Sequence, residues 1–330
     1  MRTSTAPSLS TTRRNALLRV AGWLVAAVVI VYVGKNIGEG LRDLRAQPMP
    51  EHPQWGMIAL SGALFLAAHA VLVQTWRSVL ACWDARLPFW SAARVWSVSN
   101  LGKYVPGKIW QIGAMSAMSR ELGVSPIAAS GSAILGTLVN VIAGFVIALV
   151  SGRALLERTR PGWGNVATLI VAIAGVSLLL APLIVPRLAP IAARLTGRPL
   201  QTTLPVRAVV YSLVGNLIAW LIYGAAFRLF VLGILGTSTG GYLEYLAAYT
   251  ISYLFGYLAF FAPAGLGVRE EVMMRILAVA GLATVPQAAL VTVSSRIWLT
   301  ILEVTPGILF WAHHRSRRRS LTTDPSDVPT

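Results

Sequence analysis

Six apolar runs, each long enough to cross a bilayer, constrain this chain more than any other feature. They cover residues 16–37, 55–80, 125–150, 166–185, 206–235 and 286–311. A helix spans the hydrocarbon core with about 20 predominantly apolar residues. Only helices and closed barrels can cross it, because no backbone amide or carbonyl goes unpaired in lipid. Unbroken runs of this length belong to helices, so the expected fold is an all-α polytopic membrane protein with about six full spans. Composition agrees: 12% of the residues are charged, against about a quarter in soluble chains. The run at 16–37 follows basic residues, as a signal peptide would. It is long, however, and no small-residue cleavage site follows it, so it reads as a retained span. Residues 1–15 are expected to be a disordered basic tail, 16–313 the membrane domain, and 314–330 a basic, disordered tail.

The net charge is +16. Arginines set between apolar runs are better explained by membrane topology and anionic lipid than by nucleic acid, and no nucleic-acid partner is expected. Cys82 is the one cysteine, which excludes an intramolecular disulfide framework. No metal-ligand spacing, nucleophile elbow or Ser/His/Asp grouping occurs, so no metal, cofactor or catalytic residue is assigned. His69, inside the second run, reads as a hydrogen-bonded bundle histidine.

Two further stretches are apolar but interrupted. Residues 91–122 are broken at Pro106-Gly107, with Lys103 and Lys108 on either side, and the chain has only three lysines. Residues 247–277 are broken at Pro263-Ala-Gly-Leu-Gly-Val-Arg-Glu-Glu271. Non-helical backbone at membrane depth must be buried in protein or line a polar cavity. Paired interruptions in the two halves of a chain point to a transporter-like binding site. Each break precedes a new helix, whose free N–H groups and partial positive charge suit an anion. Lys103, Lys108 and Arg269 add full charges, and Glu270 and Glu271 fall in the first turn of the second new helix. The candidate headgroup-binding set is therefore Lys103, Pro106, Gly107, Lys108, Gly265, Gly267, Arg269, Glu270 and Glu271. Arg296 and Glu303, two turns apart in the last run, are expected to pair with each other or with Arg228. Ser132, Gly136, Asn140 and Gly144 recur every four residues, a stripe that favours close helix packing. Tyr242, Tyr245, Tyr249, Tyr253 and Tyr257 share a helix face that leads toward Pro263.

With a cytoplasmic N-terminus, and each interrupted stretch returning on its own side, 18 of the 28 Lys and Arg residues face the cytoplasm. That bias favours both termini inside. Three full spans then separate the two stretches, so they enter from opposite faces, as in an inverted repeat. A version in which both stretches cross, giving parallel repeats, stays open.

Trp76-Arg77, Asn100-x-x-Lys-x-x-Pro106-Gly-Lys-Ile109 and Pro263-x-Gly-x-Gly-Val-Arg-Glu270 resemble the flippase-like integral membrane family. This is the family of the lysylphosphatidylglycerol synthase transmembrane region, and the resemblance runs over residues 16–313. It implies a bacterial cytoplasmic membrane protein that moves an anionic phospholipid or glycolipid between leaflets. In the family's best-known members the translocated lipid is aminoacylated by an attached synthase domain. The present 330 residues leave no room for that domain, so the implied partner is a separately encoded synthase or glycosyltransferase. Ala264 stands where the family commonly has glycine. Two alternatives remain: a membrane-embedded lipid-linked transferase, with Glu270 or Glu271 as its acid or base, and an accessory subunit that hands lipid to an enzyme.

Overall fold

The computed structural model describes residues 52–104, 109–196, 203–259 and 262–322. The first expected span, the tail before it, Pro106, Gly107, Lys108 and residues 323–330 lie outside the described residues. Among the described residues every regular element is helical. The helices are α1 (Trp55–Ala81), α2 (Phe89–Asn100), α3 (Ile109–Arg120), α4 (Pro126–Thr159), α5 (Trp163–Thr196), α6 (Val206–Leu235), α7 (Tyr242–Leu258), α8 (Val268–Val279) and α9 (Val285–Thr322). Two 3-10 turns, Leu101–Tyr104 and Pro263–Gly265, follow α2 and α7.

Five of these helices are long and apolar enough to cross a membrane: α1, α4, α5 over Trp163–Arg187, α6, and α9 over Val285–Phe310. They coincide with the last five apolar runs of the sequence. Their outward faces are apolar too. Leu169, Ile173, Leu179 and Leu183 of α5 are each more than half exposed, a surface that lipid covers and water does not. The termini differ from expectation in two places. α5 passes through Pro186 and Pro190 to Thr196, beyond the end of its apolar run at residue 185. α9 continues through the arginine cluster to Thr322, as arginine's high helix propensity allows.

The longest interface joins α1 to α6, and the two run antiparallel. The Gln54 amide donates to the Gly233 carbonyl at 2.8 Å, Ser61 Oγ donates to the Ala226 carbonyl at 2.7 Å, and Phe65 meets Tyr223 with ring centroids 5.0 Å apart. Toward the other end, Thr75 fills the space above Gly215 so closely that a Cβ there would lie 1.9 Å from its Oγ1. Small residues admit bulky neighbours, and the helices approach closely there.

Around this pair the contacts are reciprocal. α2 packs on α9 and α7 on α4; α3 packs on α4 and α8 on α9. Gly307 of α9 lies against the Ser97 carbonyl of α2, and Gly144 of α4 lies under Leu254 of α7. Each interrupted stretch is thus clasped by the long helix of the other half. The two 3-10 turns touch one another.

Candidate functional site

The small-residue stripe of α4 divides its work. Ser132 Oγ accepts from Trp76 Nε1 at 2.9 Å, Asn140 Nδ2 donates to Asn216 Oδ1 at 2.8 Å, and Gly144 lies against Trp220. Gly136 meets nothing within 4 Å and faces a cavity.

That cavity has a volume of about 200 Å³ and lies between the two interrupted stretches and the middles of α1, α4 and α6. Its charged lining, Lys103, Arg269, Arg296 and Glu303, gathers at the end where the two breaks meet, with Gln111 beside it at the first break; uncharged polar groups of α4 and α6, among them Ser132, Asn140 and Asn216, line more of the wall. Gln111 Nε2 donates to Asn100 Oδ1 at 3.3 Å, tying the start of α3 to the end of α2 across the first break.

The charged end is built from both breaks. Lys103, in the first 3-10 turn, places Nζ 2.6 Å from Glu303 Oε2 of α9. This corrects the expectation that Glu303 pairs along its own helix with Arg296. Arg296 instead reaches the second break: its Nε lies 3.1 Å from Glu270 Oε1, and its Nη2 donates to the Ala264 carbonyl at 2.8 Å. Ala264 has φ +50° and ψ +22°, a left-handed conformation that costs an L-residue about 1–2 kcal/mol. Glycine commonly fills such a position without that cost. The turn aims the Ala264 carbonyl at the guanidinium.

Glu270 has a second task. Its Oε2 accepts the Gly267 N–H at 2.6 Å, satisfying an amide at the start of α8 where a carboxylate also complements the helix dipole. Two commitments therefore hold Glu270 behind the cavity wall. Glu271 turns aside to Arg275, one helical turn on, at 2.5 Å. Neither glutamate lines this cavity, and neither does Gly267; Glu270 lines a smaller pocket with Arg269 and Arg296. Gly267 serves as the N-cap of α8, at φ +89°.

Arg269 differs from the other two cations. It is 7% exposed, and its guanidinium sits 5.2 Å from the ring centres of both Tyr249 and Tyr253. Its buried Nη2 has no hydrogen-bond partner. Gly265 and Gly256 bring it there. A Cβ on Gly265 would lie 2.6 Å from the Gly256 carbonyl oxygen, and a Cβ on Gly256 would lie 2.7 Å from the Arg269 Cβ. The turn and α8 thus press directly on α7, whose tyrosine stripe supplies the rings. Tyr249, Tyr253 and Tyr257 line the cavity, while Tyr242 and Tyr245 donate to the Leu221 and Thr239 carbonyls.

Of the residues expected in the site, Lys103, Gly265, Arg269, Arg296 and Glu303 meet at one end of the cavity. The sequence reading passed over Asn216, Gln111, Trp96, Tyr223 and the cavity role of His69. His69 lines the wall, with Trp96 edge-on at 6.4 Å, and its Nε2 is buried without a partner; it is not the hydrogen-bonded histidine expected. The available signal was one polar residue near the middle of each of three spans: His69, Asn140 and Asn216. Polar groups at that depth tend to face a bundle interior or water. Cys82, just beyond α1, is half-buried; its thiol donates to the Ser78 carbonyl at 3.3 Å, and burial pushes its pKa up.

No protein-family model matches this chain, and comparison with characterised proteins finds no match either.

Proposed function

We propose that this protein moves an anionic lipid between the leaflets of a bacterial cytoplasmic membrane, as a flippase-like transporter. The observation that carries the reading is the charged end of the cavity. Three cations, Lys103, Arg269 and Arg296, face two carboxylates, Glu303 and Glu270. Each carboxylate already has a cation, and the Lys103–Glu303 pair is neutral overall whichever partner holds the proton. Arg269 is left with a buried, unsaturated guanidinium, which draws an anion strongly where water is scarce. The N-terminus of α8 adds partial positive charge beside it. A polar, cationic cavity at mid-span height suits a lipid headgroup passing between leaflets. The transferase alternative has less to stand on, since Glu270 and Glu271, its acid–base candidates at the second break, are committed to Arg296 and Arg275, and Glu303 is paired with Lys103.

The same reading assigns α1–α4 and α6–α9 to two repeats of opposite orientation, with α5 between them. The antiparallel run of α1 against α6 supports it. Two stretches that both crossed fully would make those helices parallel. With the N-terminus inside, single cysteines at positions 160 and 237, in a Cys82→Ala background, are expected to react with an impermeant thiol reagent on intact cells. Cysteines at positions 86 and 121 are expected to stay protected. Labelling at 121 but not at 86 would mean that the first stretch crosses, and the opposed-repeat arrangement would fall.

Transport is tested in proteoliposomes carrying a headgroup-labelled phosphatidylglycerol whose outer-leaflet label is quenched by a membrane-impermeant reductant. Wild-type protein is expected to expose the inner-leaflet lipid. Arg269→Gln, folded by circular dichroism and monodisperse, is expected to slow that exposure at least about tenfold, since it removes a buried guanidinium whose Nη2 has no hydrogen-bond partner. An equal rate for wild type and Arg269→Gln would remove the cavity from the pathway. No exposure above empty liposomes by the wild type would favour the accessory-subunit alternative.

A further inference from the structure

We infer that the headgroup taken by this cavity is a monoanionic phosphodiester bearing an uncharged polyol or sugar, and not an aminoacyl or other amine-bearing headgroup; the inference rests on the lipid-transport reading above. The argument begins with charge. The cavity end built from Lys103, Arg269, Arg296, Glu303 and the backing Glu270 carries one positive charge in excess, centred on Arg269. A phosphodiester brings one negative charge and neutralises it. An ammonium carried by the same headgroup would need a partner of its own. Among the described residues that line the cavity, Glu303 is the one carboxylate, and it lies 2.6 Å from Lys103. An amine-bearing headgroup would therefore bury its ammonium unpaired or break that pair, and both are costly.

Ammonium groups can also be bound without carboxylates, over the faces of aromatic rings. Tyr249 and Tyr253 of α7 offer such faces, but the protein's own guanidinium already stands over them. Arg269 stands 5.2 Å from the centres of both Tyr249 and Tyr253, and the Tyr253 ring is further closed by Trp220, edge-on at 5.1 Å. The pair of rings orients a cation that binds the phosphate, and is taken by that cation.

The remaining wall matches hydroxyls. Besides its charged groups the lining offers Asn140, Asn216, Ser132 and Gln111, together with Trp96 and Trp220. Amides and hydroxyls both donate and accept, so they can pair with a polyol in several orientations. Indole faces pack against the C–H surface of a sugar. No full charge stands among these groups to reward an amine.

The test is a binding panel on the purified full-length protein in detergent, read by quenching of its tryptophan fluorescence, with Trp76, Trp96 and Trp220 in the cavity wall. Phosphatidylglycerol and phosphatidylinositol are expected to bind at least about tenfold more tightly than lysyl-phosphatidylglycerol and phosphatidylethanolamine of the same acyl chains. Arg269→Gln is expected to weaken the two preferred lipids by a similar factor, and Arg269→Lys to restore part of the loss. Lysyl-phosphatidylglycerol binding as tightly as phosphatidylglycerol would overturn the inference and leave lipid transport standing. Water-soluble glycerol phosphate or inositol phosphate binding as tightly as the lipids would keep the headgroup chemistry and overturn the lipid reading. Binding no tighter than phosphatidylcholine throughout would overturn both.

Discussion

Glu303→Gln is expected to be the most damaging single polar substitution in this protein, lowering its stability in detergent by about 3–5 kcal/mol. Its carboxylate lies 2.6 Å from Lys103 Nζ, and the two side chains are only 15% and 25% exposed. Removing the carboxylate leaves Lys103, Arg269 and Arg296 facing one remaining acid, Glu270, which already caps α8 and holds Arg296. The repulsion falls on the first 3-10 turn, which joins α2 to the residues before α3 and touches the turn of the other half. Thermal unfolding in a mild detergent measures the loss. Lys103→Gln alone is expected to cost less, since Glu303 keeps Arg269 and Arg296 in its electrostatic surroundings. The double variant Lys103→Gln/Glu303→Gln is expected to recover a good part of the Glu303→Gln deficit while transport stays low. A double variant as unstable as Glu303→Gln would show that the carboxylate acts through some other contact, and the Lys103–Glu303 pair would lose its structural role.

That pair also shows where reading the chain from its residues succeeds and where it stops. Span positions are legible because the bilayer fixes length and polarity together: α6 begins and ends on the residues at which the apolar run does, α1 ends one residue beyond its run, and the spanning part of α9, Val285–Phe310, is offset from its run by one residue. The second break is legible because Pro263 and two glycines cannot continue a helix under lipid. Partnership is a different matter. Arg296 and Glu303 share a helix, and spacing alone pairs them. Yet each stands opposite a different break, and the clasp of α9 around both α2 and α8 sends one to Glu270 and the other to Lys103. Such a choice depends on which helices meet, information that no single stretch contains. Similarly, Glu270 and Glu271 are equivalent in sequence, and one residue's rotation about α8, roughly 100°, sends one behind the cavity and the other out to Arg275. Arg269, one residue earlier, is the only member of that trio to face the cavity.

Substituting the two neighbours in the second turn is expected to move stability in opposite directions. Gly265→Ala places a Cβ 2.6 Å from the Gly256 carbonyl oxygen and 2.7 Å from the Gly256 Cα, at φ +72°. Both obstacles are backbone, so no side chain can rotate away. Left-handed strain of about 1–2 kcal/mol adds to an overpacking cost of about 1–3 kcal/mol. The turn must lift off α7, and Arg269, whose Cβ rests over Gly256, moves with it away from Tyr249 and Tyr253. Lost binding of phosphatidylglycerol is therefore expected alongside a lower melting temperature. Ala264→Gly removes the Cβ from a residue already held at φ +50°. It is expected to be neutral or to gain up to about 1 kcal/mol, the relief of strain being offset by the freer unfolded chain. The carbonyl that accepts from Arg296 is unchanged, so binding is expected to persist. Gly131→Ala, in the body of α4 with open space around the added methyl, serves as the helix-interior control and is expected to stabilise by about 0.5–1 kcal/mol. If Gly265→Ala melted with the wild type and kept its lipid affinity, the close seating of the turn on α7 would not be what holds Arg269 in place. The excess charge in the cavity would then have to be positioned by the tyrosine rings alone.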